Sequence, residues 1–127
     1  MLADFTFKLA GETYTVCYTA RARYLFELEA SYPLQELRAF KGRMSDAEQT
    51  RLLWAGLEGA RARSKSRKNP WTVAEVLDEV LADVDADARV KAVSVCLDAV
   101  TAAFATTAPH ATEEVAAGAE GKPQTTV

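Results

Sequence analysis

The sequence SDAEQTRLLWAGLEGA, residues 45–60, decides the fold because it specifies a helix that must be closely packed. Ser45 and Glu48 have the spacing of a capping box, in which the serine side chain accepts a backbone N–H and the glutamate reaches back to the cap. Gly56 and Gly59 each cost about 1 kcal/mol relative to alanine inside a helix. We therefore expect a neighbouring element to approach this helix closely. The predicted inward-facing residues are Leu53, Leu57 and Ala60.

Upstream of this helix, residues 5–18 predict a β-hairpin. Apolar and polar residues alternate in both arms, which places each apolar set on one face of a strand. Ala10, Gly11 and Glu12 supply the turn, where Gly11 can adopt a positive φ. An isolated two-stranded hairpin is marginal in water, so we expect it to pack on helices or on another strand. The apolar positions are Phe5, Phe7 and Leu9 in the first arm and Tyr14, Val16 and Tyr18 in the second.

Two helices are predicted between the hairpin and the capping box. Thr19 is a suitable N-cap for a helix from Ala20 to about Ser31. Pro33 ends that helix and opens the next, which is expected over Leu34–Lys41 and is closed by Gly42. The apolar face of the first helix is predicted to contain Leu25, Leu28 and Tyr32, with Phe26 beside it.

Two further helices are predicted downstream. A second capping box, Thr72 with Glu75, begins a short helix, and another helix runs from Asp85 or Asp87 to Phe104. Both have apolar residues at helical spacing. The first stripe is Val73, Val76, Leu77, Val80, Leu81 and Val84, and the second is Val90, Val93, Cys96, Leu97, Val100 and Phe104.

The fold class expected from these elements is mainly α with a short N-terminal β-hairpin, an α+β arrangement of about five helices. Residues 1–104 form one hairpin-plus-helix domain, since a chain of 127 residues has room for one core. Residues 105–127 have almost no large apolar side chains and predict a disordered, flexible tail. No run approaches the roughly 20 apolar residues that span a bilayer, and no signal peptide is seen, so we expect a cytoplasmic protein. Cys17 and Cys96 are expected to be reduced core residues.

The residues that catalysis or metal binding requires do not come together in the sequence. The one histidine, His110, falls in the predicted tail, so triads and zinc sites of the usual composition are excluded. No glycine-rich loop follows a predicted strand. The acidic residues between Asp78 and Asp87 lack the spacing of an EF-hand. We therefore predict a protein that is not an enzyme and has no cofactor.

A basic segment, Arg61–Lys68, is the strongest local charge feature. Residues 1–68 carry 12 basic and 8 acidic side chains, whereas residues 69–127 carry 3 and 10. Three interpretations are open: a solvated helix end that complements the helix dipole, a surface for an acidic protein, or a phosphate-binding site with Trp71 as a stacking platform. The overall pI of about 5.2 makes nucleic acid an unlikely main ligand.

Several short stretches together resemble the tail assembly chaperones of long-tailed phages and gene transfer agents. They are ARYLFELE (22–29), LWAGL (53–57), TVAEVL (72–77) and AAF (102–104), arranged after a hairpin and before a polar tail. The resemblance covers about residues 5–104. The basic segment is longer and more charged than that family's pattern.

The resemblance implies a non-enzymatic factor that binds the helical tape measure protein and keeps it soluble during tail tube assembly. The resemblance also makes the tail tube protein and a frameshifted longer form of the chain candidate partners, and it implies that the protein acts in the host cytoplasm. A homo-oligomer is a further candidate. The alternatives are a nucleic-acid-binding regulator that uses the basic segment and a structural tail or connector subunit of the virion. The hypothesised partner-binding residues are Tyr24, Leu28, Tyr32, Phe40, Arg61, Arg63, Lys65 and Arg67.

Overall fold

The N-terminal hairpin forms as expected in the computed structural model, which describes residues 2–39, 44–65 and 67–107. Strand β1 (Phe5–Leu9) pairs antiparallel with β2 (Glu12–Val16). The turn is two residues long rather than the predicted three, because Glu12, which was expected in the turn, already pairs with Leu9. Ala10 and Gly11 both have positive φ, 51° and 82°. This backbone conformation is that of a type I′ turn, which matches the twist of the paired strands.

Helix α1 (Ala20–Ala30) begins at the predicted cap, where the Thr19 hydroxyl accepts the N–H of Ala22 at 3.2 Å. It ends at Ser31 in the left-handed conformation. Its buried residues are Ala22 and Phe26, so the predicted apolar face of Leu25, Leu28 and Tyr32 is not the buried face, and Leu28 is 61% exposed. The inward face is shifted because small Ala22 lets α1 approach α2 closely.

The next element is a 3-10 helix, Leu34–Ala39, in place of the expected α-helix to Lys41. Leu34 and Leu37 are both fully buried. A 3-10 helix has three residues per turn, so it stacks positions i and i+3 and places both leucines toward the core. Lys41 and Gly42, the predicted end of this helix, lie outside the described residues.

Helix α2 (Asp46–Ser64) is the centre of the domain, and its capping box forms with both hydrogen bonds. Every residue from 52 to 60 is buried, since α2 contacts α1, β2 and the helices that follow it. The close approach predicted at the two glycines is confirmed. A Cβ on Gly56 would lie 2.6 Å from the Tyr18 hydroxyl, and one on Gly59 would collide with the backbone carbonyl of Cys17.

Helix α3 (Val73–Glu75) starts at the second predicted capping box and continues as a π-helical turn, Val76–Val80. Val76, Val80 and Leu81 are buried, but Leu77 is 49% exposed, which corrects the predicted stripe. The cause is the wider π turn, in which the N–H of Leu81 bonds the carbonyl of Val76. That turn rotates Leu77 away from the core.

Helix α4 (Ala86–Thr107) packs on β1, on the 3-10 helix and on α2. The Asp85 carboxylate accepts the N–H of Ala88 at its start. Val93, Cys96 and Val100 are buried as predicted, whereas Val90 is 59% exposed. The buried face is centred on a stripe of small residues that allow close packing, and Val90 lies outside it. These residues are Ala92, Cys96, Ala99 and Ala103.

The domain is therefore mainly helical, with the hairpin packed on α2 and α4. Cys17 and Cys96 are free and buried, in agreement with the sequence prediction. The predicted flexible tail lies mostly in residues 108–127, which are outside the described residues. No helix within the described ranges is long and apolar enough to cross a membrane.

Candidate protein-binding surface

Two large apolar side chains on α1 face solvent. Tyr24 is 63% exposed and Leu28 is 61% exposed, one helical turn apart. They lie on the side of α1 opposite Ala22 and Phe26, which are buried. A folded chain usually covers side chains of this size, and paired exposed ones indicate an interaction surface more strongly than a single one does. Tyr24 and Leu28 were both predicted partner-binding residues, and the structure brings them together.

A shallow groove of about 270 Å³ lies between the end of α1, the first half of α2 and α3. Leu77 and Val73 form its apolar side, and Ala47 and Thr50 belong to its α2 side. Charged side chains surround these residues: Glu29 from α1 with Asp46 and Arg51 from α2. The π turn contributes to the groove directly, because it is the feature that exposes Leu77.

Tyr32, the third predicted aromatic, has a structural role in this geometry. Its hydroxyl donates to Glu48 Oε2 at 2.8 Å, and its ring meets Phe26 edge-on at 5.8 Å. Burial and the hydrogen bond to the Glu48 carboxylate raise the pKa of Tyr32 to about 12. Tyr32 thus connects the end of α1 to the capping box of α2. Phe40, the fourth, lies outside the described residues.

Sequence reasoning missed Glu58, the charged residue that organises the C-terminal end of α2. Its side chain is only 1% exposed. Oε1 and Oε2 accept from Arg61 at 2.8 and 2.7 Å, Oε1 also accepts the backbone N–H of Trp71 at 2.9 Å, and Arg21 from α1 lies 3.3 Å from Oε2. Burial alone raises the pKa of Glu58, but the hydrogen bonds from Arg61 and Trp71 more than offset it, and the pKa is lowered.

The other arginines of the basic segment also make intramolecular contacts. Arg63 donates to the Leu2 carbonyl at 2.8 Å and to Cys17 Sγ at 3.2 Å, and it pairs with Asp4. Arg67 pairs with Glu75 at 2.8 Å and stacks on the Trp71 ring, 3.9 Å from its centroid. Lys65 is the exposed C-cap of α2. The three arginines that were predicted to bind a partner therefore connect the N-terminus, α2 and α3 to one another.

Trp71 and Trp54 join α2 to the start of α3. Trp54 Nε1 donates to the backbone carbonyl of Trp71 at 2.8 Å, and Trp54 is buried. The Trp71 ring is partly covered by Arg67. These contacts give Trp71 a structural role, since they hold the connection between α2 and α3 in place. No group of three or more metal-ligating side chains occurs within the described ranges.

Comparisons of the chain with protein-family models, with curated proteins and with solved structures found no match.

Proposed function

We propose that this protein is a non-enzymatic tail assembly chaperone that binds the helical tape measure protein and keeps it soluble while the tail tube assembles. The observation that carries the proposal is the exposed pair Tyr24 and Leu28 on α1. Aromatic and leucine side chains that remain exposed after folding are suitable anchors for a partner's apolar face.

The arrangement around this pair supports a helical client. Tyr24 and Leu28 are four residues apart, so they present a ridge that can enter the groove between side chains of another helix. The α1–α2–α3 groove provides a second apolar contact through Leu77 and Val73. An amphipathic client helix with apolar residues at i, i+3 and i+4 would match such surfaces. The charges of Glu29, Asp46 and Arg51 would set its orientation.

The alternatives receive less support from the contacts of the basic segment. Arg61, Arg63 and Arg67 are paired with Glu58, Asp4 and Glu75. A nucleic-acid-binding regulator would need these cations free for phosphates, and its binding would fall steeply with salt. A structural tail or connector subunit would remain in purified particles, where a chaperone would be absent.

The proposal is tested by co-expressing the chain with the long helical protein encoded near it and purifying the complex through this chain. We expect the wild-type chain to recover soluble client, and the client alone to be insoluble. The double variant Tyr24→Ser, Leu28→Ser should recover at least about tenfold less, since two interface anchors are removed.

The matched control is Val90→Ser, which removes an equally exposed apolar side chain from α4. It should recover as much client as the wild type. A client that stays soluble alone, or a double variant that recovers it fully, would contradict the proposal.

A further inference from the structure

The outer edge of strand β2 has backbone groups that the hairpin does not use. In an antiparallel pair closed by a two-residue turn, the residues flanking the turn form a hydrogen-bonded pair, and pairs alternate from there. Leu9 with Glu12 and Phe7 with Tyr14 are therefore the hydrogen-bonded pairs. The N–H and C=O groups of Thr13 and Thr15 point away from β1.

Cys17, two residues after Thr15, supports this assignment of outward-facing backbone groups. The N–H of Cys17 points outward as well, and it donates to the Gly56 carbonyl of α2 at 3.0 Å. Helix α2 thus satisfies the outward backbone at Cys17. No backbone partner beyond the hairpin is seen for Thr13 or Thr15 in the described part of the chain.

This edge faces a cleft of about 390 Å³. Thr13, Tyr14 and Thr15 all line it. Successive side chains of a strand point to opposite faces, so three consecutive residues line one cleft only when the strand edge faces it. The rest of its wall comes from Asp4, from α2 and from the segment after α2. The residues involved are Leu57, Ala60, Arg61, Ser64 and Trp71.

We propose that this cleft binds an extended segment of a partner protein, which adds an antiparallel third strand to the hairpin along the outer edge of β2. Strand addition to an exposed edge is a general mode of peptide recognition, in which backbone hydrogen bonds give affinity and side-chain contacts give specificity. The site shares no residue with the Tyr24–Leu28 surface, so this proposal does not depend on the proposed function.

Charge identifies the side chain that the segment should place beside Tyr14. Both Glu12 and Glu79 lie close enough to Tyr14 to act on its ionisation, and no ion-pair partner is seen for either carboxylate among the described residues. The charged groups in the cleft wall are already compensated: Arg61 pairs with Glu58 and Asp4 pairs with Arg63. The residue opposite Tyr14 should therefore be a lysine or arginine.

The probe is the capped peptide Ac-Thr-Val-Thr-Lys-Thr-Val-Thr-NH2, added to the ¹⁵N-labelled full chain and followed by NMR. It presents lysine and the two valines on one face and threonines on the other. We expect the amide signals of Thr13 and Thr15 to shift and their exchange with solvent to slow. Replacing the peptide's lysine with glutamate should weaken binding by at least about threefold, as should Glu79→Gln in the protein.

Backbone methylation of the peptide tests the pairing without altering the protein. In the antiparallel arrangement, the two threonines that flank the lysine direct their N–H groups toward β2, whereas the lysine directs its N–H away. N-methylation of both flanking threonines should weaken binding by at least about tenfold, since two hydrogen bonds are lost. N-methylation of the lysine is the matched control and should change binding little. Equal effects of the two modifications would overturn the proposal.

A proline at position 15 tests the same bonds from the protein side. Thr15→Pro removes an outward N–H that takes no part in the hairpin, so we expect the fold to be kept and peptide binding to be lost. The matched control is Thr6→Pro, which removes the equivalent N–H from the outer edge of β1, opposite Thr15. It should leave peptide binding unchanged, because the peptide pairs with β2. If Thr15→Pro unfolds the chain, the comparison of the two N-methylated peptides tests the backbone pairing instead. A protein that dimerises on sedimentation with Thr13 and Thr15 already protected would overturn the proposal in favour of self-pairing.

Discussion

Arg61 and Glu58 form a bidentate ion pair inside the domain, with Nε–Oε1 and Nη2–Oε2 distances of 2.8 and 2.7 Å. Because the same carboxylate accepts the backbone N–H of Trp71 and contacts Arg21, it joins α2 to α1 and to the segment that leads into α3. One buried charge therefore fixes three parts of the chain. Charged residues are almost never fully buried unless they are paired in this way.

Glu58→Gln should destabilise the fold although it changes the side-chain shape very little. The substitution leaves Arg61 without its counterion and weakens its hydrogen bonds, and breaking a buried pair from one side costs roughly 3–5 kcal/mol. Arg61 retains some solvent contact, so we expect about 2–3 kcal/mol in the free energy of unfolding by urea. The control Asp83→Asn, at an exposed carboxylate, should change it by less than about 0.5 kcal/mol. Equal stability of both variants would contradict this role for Glu58.

The contribution of Glu58 should disappear in acid. The pKa of Glu58 in the folded chain is lowered from its ordinary value of 4.5, so the folded state binds the proton less readily than the unfolded state. The stabilisation is therefore complete above about pH 4.5 and is lost as the pH falls through the folded pKa. The difference in unfolding free energy between wild type and Glu58→Gln should shrink between pH 5 and pH 3. A difference that does not depend on pH would show that charge is not its cause.

The close contacts of α2 could be predicted because glycine in a helix interior has a local cost that needs a structural reason. The two capping boxes were predictable for a similar reason, since each depends on residues three positions apart. Glu58 could not be predicted this way, because a glutamate within an apolar run resembles a solvent-facing position. The only indication in the sequence is that Arg61 follows Glu58 by three residues, and such i,i+3 charge pairs are also common on exposed helices.

The exposed surfaces were predicted only in part, because exposure depends on how neighbouring elements pack. Tyr24 and Leu28 are exposed since the inward face of α1 uses Ala22 and Phe26. Apolar periodicity follows large side chains and therefore missed the alanine stripe of α4, which leaves Val90 outside the core. It also assumed a regular α-helix at Leu77, where the chain forms a π turn. To predict the cleft beside β2, one would have needed the register of the hairpin, which the sequence did not specify.

Gly59→Ala should destabilise the protein in spite of the better helix propensity of alanine. The added Cβ would collide with the Cys17 carbonyl and lie 2.9 Å from the Ala22 Cβ. Neither is the flexible end of a side chain, so relief requires movement of the backbone or of α1. We expect a net loss of about 1–3 kcal/mol by thermal or urea unfolding, as for other overpacked cores. Ser94→Ala, on the exposed side of α4, is the control and should be neutral or slightly stabilising. A more stable Gly59→Ala protein would contradict the observed packing.

Both cysteines should be unreactive in the folded chain and reactive once it unfolds. Burial raises the pKa of Cys96 to about 12, partly offset by its hydrogen bond with Tyr18. Burial also raises the pKa of Cys17, and the positive charge of Arg63 opposes this shift only in part. Because the thiolate is the reactive form, a disulfide reagent at pH 8 should label neither thiol within minutes in the native protein and both in guanidinium chloride. Arg63→Gln removes the positive charge that lowers the Cys17 pKa and favours its thiolate, so over hours it should slow labelling of Cys17 further and leave that of Cys96 unchanged. Rapid labelling of Cys96 in the native wild type would mean that α4 separates from the core far more often than its buried face implies.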